Sequence, residues 1–206
     1  MYFPVYLNDK VSNFFILIGL PGVGKTSFCK ILEDYFKSIS ETRVIERDQI
    51  RCDLIWEKRK DEDLAKIIPD LDPQVNKVEL MLVKNAVDDN QTVILDGCHS
   101  EIFHLLNIIR TIKNKNRESN VSLIFLGDEN SRCFHSLSDN SEGDYSDYEP
   151  DFSHTSIPKV VLDRKRKELK GLIEHFMKGL KFHADALYFL PQKWLREIPD
   201  DKTTQN

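Results

Sequence analysis

Gly19, Gly24, Lys25 and Thr26 stand in the spacing G-x-x-x-x-G-K-[ST], and those residue types at that spacing can hold a chain of phosphates. Glycines let the backbone curl so that successive N–H groups point into one concavity. The lysine brings a point charge to β- and γ-phosphate oxygens, and the threonine hydroxyl is a hard oxygen ligand for Mg²⁺. The loop as a whole, Gly19, Pro21, Gly22, Val23, Gly24, Lys25, Thr26 and Ser27, is therefore expected to bind a nucleoside triphosphate, with ATP and Mg²⁺ as the cofactors.

Transfer of a phosphoryl group needs more than that cradle. It also needs cations over the migrating group and a carboxylate that orients or deprotonates the acceptor. Asp48 and Arg51 lie at i and i+3, on one face of a helix if one begins there, where an acid and a base could together grip an acceptor. Asp96 closes the run Thr92-Val93-Ile94-Leu95-Asp96, in the manner of a Walker B carboxylate. It is a candidate both for the metal, beside Thr26, and for orienting the acceptor. Arg132 is the candidate for offsetting transition-state charge. His99, alone in a loop, reads as a bystander.

The elements that must position these residues can be read from periodicity. Phe14 to Ile18 is an apolar run suited to a strand buried on both faces. Phe28, Ile31, Leu32, Tyr35 and Phe36 then recur at helical spacing, so the loop sits at a strand-to-helix junction, where the helix N-terminus favours an anion. Arg43 to Glu46 predicts a second strand, and a helix is expected to start at Arg47-Asp48. A polar loop with Pro69 and Pro73 follows. Val75, Val78, Leu82 and Val83, with Met81 and Ala86 near them, predict the next helix. Thr92–Asp96 and Val121–Leu126 predict two more strands, separated by a helix carrying Ile102, Leu105, Leu106, Ile109 and Ile112. Pro158 suits the first position of a long helix reaching Leu180, and Ala186–Leu190 reads as the last strand. Such alternation implies right-handed crossovers and a parallel sheet covered on both faces. The expected class is α/β: a three-layer sandwich with a mostly parallel five-stranded sheet of order 2-3-1-4-5, forming a single domain over residues 1–206. A flexible lid insertion is expected at about 132–157, because Ser136 to Ser156 is rich in Ser, Asp, Glu and Gly and nearly devoid of aliphatic residues.

The net charge of −5 over 206 residues gives no global attraction to polyanions, so a nucleic-acid acceptor would have to meet a local basic patch. The four cysteines are far apart, with no C-x-x-C, which argues against a zinc site or a disulfide framework. No apolar run approaches membrane-spanning length, and the expected setting is intracellular, cytoplasm or nucleus, with no membrane partner. A guanine-reading motif is absent, since Asn114-Lys115-Asn116-Arg117 has arginine where such a motif needs aspartate.

The loop from Gly19 to Thr26, then Arg47-Asp48-x-x-Arg51, a strand ending in Asp96, an arginine at the lid and Ile-Pro before a helix together resemble the polynucleotide kinase group of P-loop phosphotransferases. Zeta-toxin-like and seryl-tRNA-kinase-like relatives and small metabolite kinases are similar at a coarser level. The resemblance implies a P-loop kinase fold, with Asp48 as general base on a 5′-hydroxyl, Arg51 holding the acceptor and Asp96 supporting that arginine. The departure lies in the lid. Those kinases carry a second arginine four residues after the first, and Ser136 stands there, leaving Lys159 or Arg164 to supply the cation. The implied activity is ATP-dependent transfer of the γ-phosphoryl group to a hydroxyl acceptor, with nucleic acid or nucleotide among the candidate acceptors. A nucleoside, nucleotide or small-metabolite kinase is the alternative within the class. A non-catalytic nucleotide-binding regulator is the alternative outside it.

Overall fold

The computed structural model describes residues 11–58, 71–128, 130, 159–178 and 184–190. Arg132, the segment of about 132–157 and Pro158 lie outside these residues. Five strands, β1 (Asn13–Ile18), β2 (Thr42–Glu46), β3 (Thr92–Asp96), β4 (Asn120–Leu126) and β5 (Ala186–Leu190), alternate with helices α1 (Lys25–Lys37), α2 (Arg47–Lys58), α3 (Leu71–Asp88), α4 (Ile102–Lys115) and α5 (Lys159–Met177). The strands form one sheet in the order β2-β3-β1-β4-β5, and every pairing is parallel, as the alternation requires.

β1 is the central strand, and all six of its residues are buried. Its side chains divide by parity, as a pleated strand must. Phe14, Ile16 and Ile18 join the core formed with α3, α4 and α5, whereas Phe15 and Leu17 join Phe28, Leu32 and Phe36 of α1 on the other face. Phe15 and Phe36 stack with ring centroids 4.5 Å apart. A run apolar at every position is what a strand covered on both faces needs.

The helices differ in detail from their periodicity. In α1, Ile31 and Tyr35 are 41% and 49% exposed, because a single helix over its sheet face needs only the narrower stripe of Phe28, Cys29, Leu32 and Phe36. In α3, Met81 faces outward. That helix starts at Leu71, so Pro73 belongs to its first turn rather than to the preceding loop. Its missing N–H costs nothing there, since the first turn has no intrahelical acceptor for it. Among the described residues, no helix is long and apolar enough to cross a membrane.

Parallel strands bring the carboxyl ends of β1, β2 and β3 to one edge, where α/β sheets bind ligands. The turn after β1, the start of α2 and Asp96 meet at that edge.

Candidate active site

Gly22 and Gly24 adopt positive φ angles of 71° and 97°, so the chain turns inward between β1 and α1 in a conformation that side chains resist. A Cβ on Gly19 would lie 2.7 Å from the Leu126 carbonyl oxygen of β4, which requires glycine where the loop leaves the sheet. The Gly19 N–H donates to the Cys98 carbonyl at 3.2 Å, tying this loop to the one after β3. Lys25 is buried, and its ammonium donates to the Leu20 carbonyl at 2.6 Å. The charge is thus folded over the concavity it would share with a phosphate oxygen.

The Thr26 hydroxyl lies beside the Asp96 carboxylate and favours its ionised form. A hydroxyl and a buried carboxylate, both hard oxygen donors, fit Mg²⁺ by their chemistry and would hold it there. Burial pushes the Asp96 carboxyl above its ordinary value, the Thr26 hydroxyl and the charges of Lys25 and His99 pull the other way, and the Asp48 charge adds to the rise. Glu46, at the end of β2, is raised by burial and by Asp96. A carboxyl raised in the folded state stabilises the fold below its folded pKa, and that contribution is lost as pH rises through it. Asp96→Asn is therefore expected to raise the Tm of the nucleotide-free protein at neutral pH, while abolishing the Mg²⁺ dependence of its ADP affinity. Calorimetry with and without Mg²⁺ reads both, and an unchanged Mg²⁺ dependence would exclude Asp96 from the metal.

On the acceptor side, Asp48 is in the first turn of α2, where negative charge complements the helix dipole. Its carboxylate accepts from Arg51 Nη1 at 2.5 Å, and Arg51 Nη2 donates to Asp72 Oδ1 at 3.0 Å. The side chain of Asp48 is 82% exposed while Arg51 is 29% exposed, so the acid faces outward and the base is held from behind. Burial works against the Arg51 charge, but the Asp72 bond and the Asp48 charge outweigh it and raise its pKa. Burial likewise opposes ionisation of Asp72, and Arg51 more than offsets it. Arg51 therefore takes its support from Asp48 and from Asp72 of α3, while Asp96 lies beside Thr26.

The candidates for a lid cation separate. Arg164 is 60% exposed and lies 3.7 Å from Glu168, and Lys159 is exposed. Lys165 is only 22% exposed, donates to Glu168 Oε2 at 2.7 Å, and its charge helps to lower the Asp72 carboxyl. Ser100 donates to the same Glu168 oxygen at 2.9 Å, which docks α5 onto the loop after β3.

Sequence reasoning passed over Asp72, Lys165 and a buried cluster around Glu79. Glu79 is fully buried and meets His99, His104 and Arg47. A signal was present: Val75, Glu79 and Val83 are spaced i, i+4, i+8, so a carboxylate interrupts the apolar stripe of α3. Gly97 packs against this cluster, and a Cβ there would lie 2.5 Å from Arg47 Cδ and 2.9 Å from His99 Cε1. Because both side chains are pinned by other bonds, Gly97→Ala is expected to destabilise the fold by about 1–3 kcal/mol, read as a lower denaturant midpoint. An unchanged midpoint would mean that the cluster gives way freely.

A family model described as Zeta toxin matches residues 6–136. No curated protein matches the chain. A chain of the Pnkp1/Rnl/Hen1 RNA repair complex superposes with a TM-score of 0.52 at 17% identity, over 81% of this chain and 46% of that one. This chain thus spans less than half of that relative, and the likeness is one of fold. Kti12 of Chaetomium thermophilum, in complex with ADP-AlF3, gives a TM-score of 0.47 at 15% identity over 90% of this chain and 94% of that one. A chain of the PezAT toxin-antitoxin system of Streptococcus pneumoniae gives 0.44 at 17% identity over 58% and 48%. The fold of this chain is that of P-loop kinases.

Proposed function

Since the chain belongs to the Zeta toxin family, we propose that it is an ATP-dependent phosphotransferase that moves the γ-phosphoryl group of ATP to a hydroxyl acceptor, a polynucleotide 5′-hydroxyl being the first to test. The observation that supports this reading most directly is the environment of Asp96. Its strand lies between β1, which leads into the phosphate loop, and β2, which leads into Asp48, and this supports donor and acceptor candidates flanking Asp96.

In this proposal the backbone N–H groups between Gly22 and Ser27 bind the phosphates at the start of α1. Lys25 exchanges the Leu20 carbonyl for a γ-phosphate oxygen. Thr26 and Asp96 would hold Mg²⁺, which when bound would neutralise charge on the phosphates. Asp48 accepts the proton of the acceptor hydroxyl, and that oxygen attacks phosphorus in line as the bond to ADP breaks. Arg51, braced by Asp72, holds the acceptor so that the reacting atoms start near contact. Arg132, which lies outside the described residues, is assigned the role of offsetting charge.

The deciding experiment incubates the protein with γ-labelled ATP and a panel of 5′-hydroxyl oligonucleotides, tRNA, nucleosides, nucleoside monophosphates and sugars. Label in an oligonucleotide supports the polynucleotide reading, and label in a small molecule moves the acceptor to metabolites. Binding of ATP with no labelled acceptor favours a nucleotide-binding regulator.

A further inference from the structure

Glu79 lies at the centre of a buried ionic cluster that the phosphoryl-transfer reading leaves without a role. It is 0% exposed in the middle of α3. Its Oε1 accepts from His99 Nε2 at 2.8 Å, and its Oε2 accepts from His104 Nε2 at 2.6 Å and from Arg47 Nη1. Arg47 Nη2 continues to Asn76 Oδ1 at 2.7 Å. The other nitrogen of His99, Nδ1, faces the Leu17 carbonyl at 2.9 Å. Both ring nitrogens of His99 therefore lie against oxygen acceptors, which fixes the ring from two sides. His104 Nε2 and Arg47 Nη1, 2.8 Å apart, are two donors converging on one carboxylate oxygen.

Such a cluster is poor value as a stabiliser. Desolvating a carboxylate and its partners costs several kcal/mol per ion, on the order of what the pairing returns, and apolar packing of α3 on the sheet would serve the fold as well. Nor is it a cation site. Arg47 covers Oε2, and no group of three or more His, Cys, Asp or Glu side chains suited to a metal occurs among the described residues. Where its members lead is more informative. Leu17 is the penultimate residue of β1, two residues before Gly19 opens the phosphate loop. His99 follows Cys98, whose carbonyl accepts from the Gly19 N–H, and it holds a positive φ of 40°, a strained conformation for a side-chain-bearing residue that its two bonds maintain. Arg47 is the first residue of α2 and immediately precedes Asp48.

We propose that Glu79 is a positioning residue that sets the phosphate loop and the acceptor helix in one geometry. One carboxylate oxygen acts through His99 on the strand end that enters the loop, and the other acts through Arg47 on the first turn of α2, which carries Asp48 and Arg51. His104 closes the second oxygen and keeps water from competing for it. The charged groups facing the cluster are Arg47 from α2, His104 from α4 and His99 from the loop after β3, with Asp96 and Lys25 beyond His99. The acceptor arm of this inference rests on the phosphotransferase reading, while the donor arm stands on nucleotide binding alone.

The test uses the whole chain and three variants, Glu79→Gln, His99→Asn and Arg47→Lys, each assayed well below its own thermal transition. Mg·ADP affinity is read by calorimetry, and kcat and KM are read with whichever member of the acceptor panel the wild-type protein labels. Glu79→Gln is expected to weaken Mg·ADP and to lower kcat, each by about 10–100-fold, the range for loss of an orienting partner. His99→Asn should weaken Mg·ADP, whereas Arg47→Lys, which keeps the charge but loses the fork to Asn76, should lower kcat with Mg·ADP affinity unchanged. A folded Glu79→Gln protein with wild-type ADP affinity and kcat overturns the proposal, because a purely structural role moves Tm alone. Should Glu79→Gln not fold, the other two variants decide, and equal losses or no losses in both readouts overturn it. If wild-type protein labels no acceptor, the phosphotransferase reading fails. The donor arm is then still decided by whether His99→Asn, and not Arg47→Lys, weakens Mg·ADP.

Discussion

Lys25→Met is expected to reduce phosphoryl transfer on the order of 10³-fold or more, while the protein stays folded. Methionine keeps the length and apolar stem of lysine and removes only the ammonium. In the folded protein that ammonium is buried at the start of α1 and donates to the Leu20 carbonyl at 2.6 Å. Losing the bond leaves the Leu20 carbonyl with only the longer bond from the Val23 N–H at 3.4 Å, which costs about 1 kcal/mol, and the assay must be run below the lowered Tm. The kinetic loss should be far larger. In the proposed reaction the lysine meets the migrating phosphoryl group, and charge in a desolvated site is worth much more than in water. Single-turnover transfer from labelled ATP checks it, and a variant retaining a tenth of wild-type activity would remove Lys25 from the transition state.

The second large effect is expected at Asp48. Asp48→Asn should lower kcat by about 10²–10⁴-fold, the range for removal of a general base, and leave the affinity for ATP nearly unchanged. The substitution is clean because the asparagine carbonyl can still accept from Arg51, and Arg51 keeps its second partner, Asp72, at 3.0 Å. The geometry of α2 survives and only proton acceptance is lost. Parallel measurement of kcat and of ADP affinity separates this from collapse of the site, which would move both. Full activity in Asp48→Asn would sink the proposed base, leaving Asp48 as a helix-terminus charge that complements the dipole.

Much of the fold was legible because its signals are local. An apolar run followed by glycines and an amphipathic helix implies a strand, a turn and a helix whatever surrounds them, and β1, β3 and β4 fall where their apolar runs lie. Alternation of strands and helices then restricts the topology to right-handed parallel crossovers. Periodicity was less informative about how wide a helix's buried stripe would be. Ile31, Tyr35 and Met81 fit an apolar face but remain exposed, because burial depends on how closely the neighbouring element approaches.

The site divides along the same line. The phosphate loop is contiguous, so spacing along the chain sets its chemistry: Gly22 and Gly24 supply positive φ wherever the fold places them, and Lys25 and Thr26 follow at fixed distance. Partners brought from other elements carry no such signature. Asp72 reaches Arg51 from 21 residues away, and His99 reaches Leu17 across 82. Neither separation has a period that a single sequence can reveal. Residue order alone implies a P-loop on a parallel α/β sheet, since those properties follow from backbone freedom and short-range polarity. It is the packing of the layers that makes Asp72 brace Arg51, sets Asp96 beside Thr26, and gathers two histidines and an arginine around Glu79. Each depends on which side chains the packed layers bring within hydrogen-bond reach, and on burial that makes an unpaired charge too costly to leave alone.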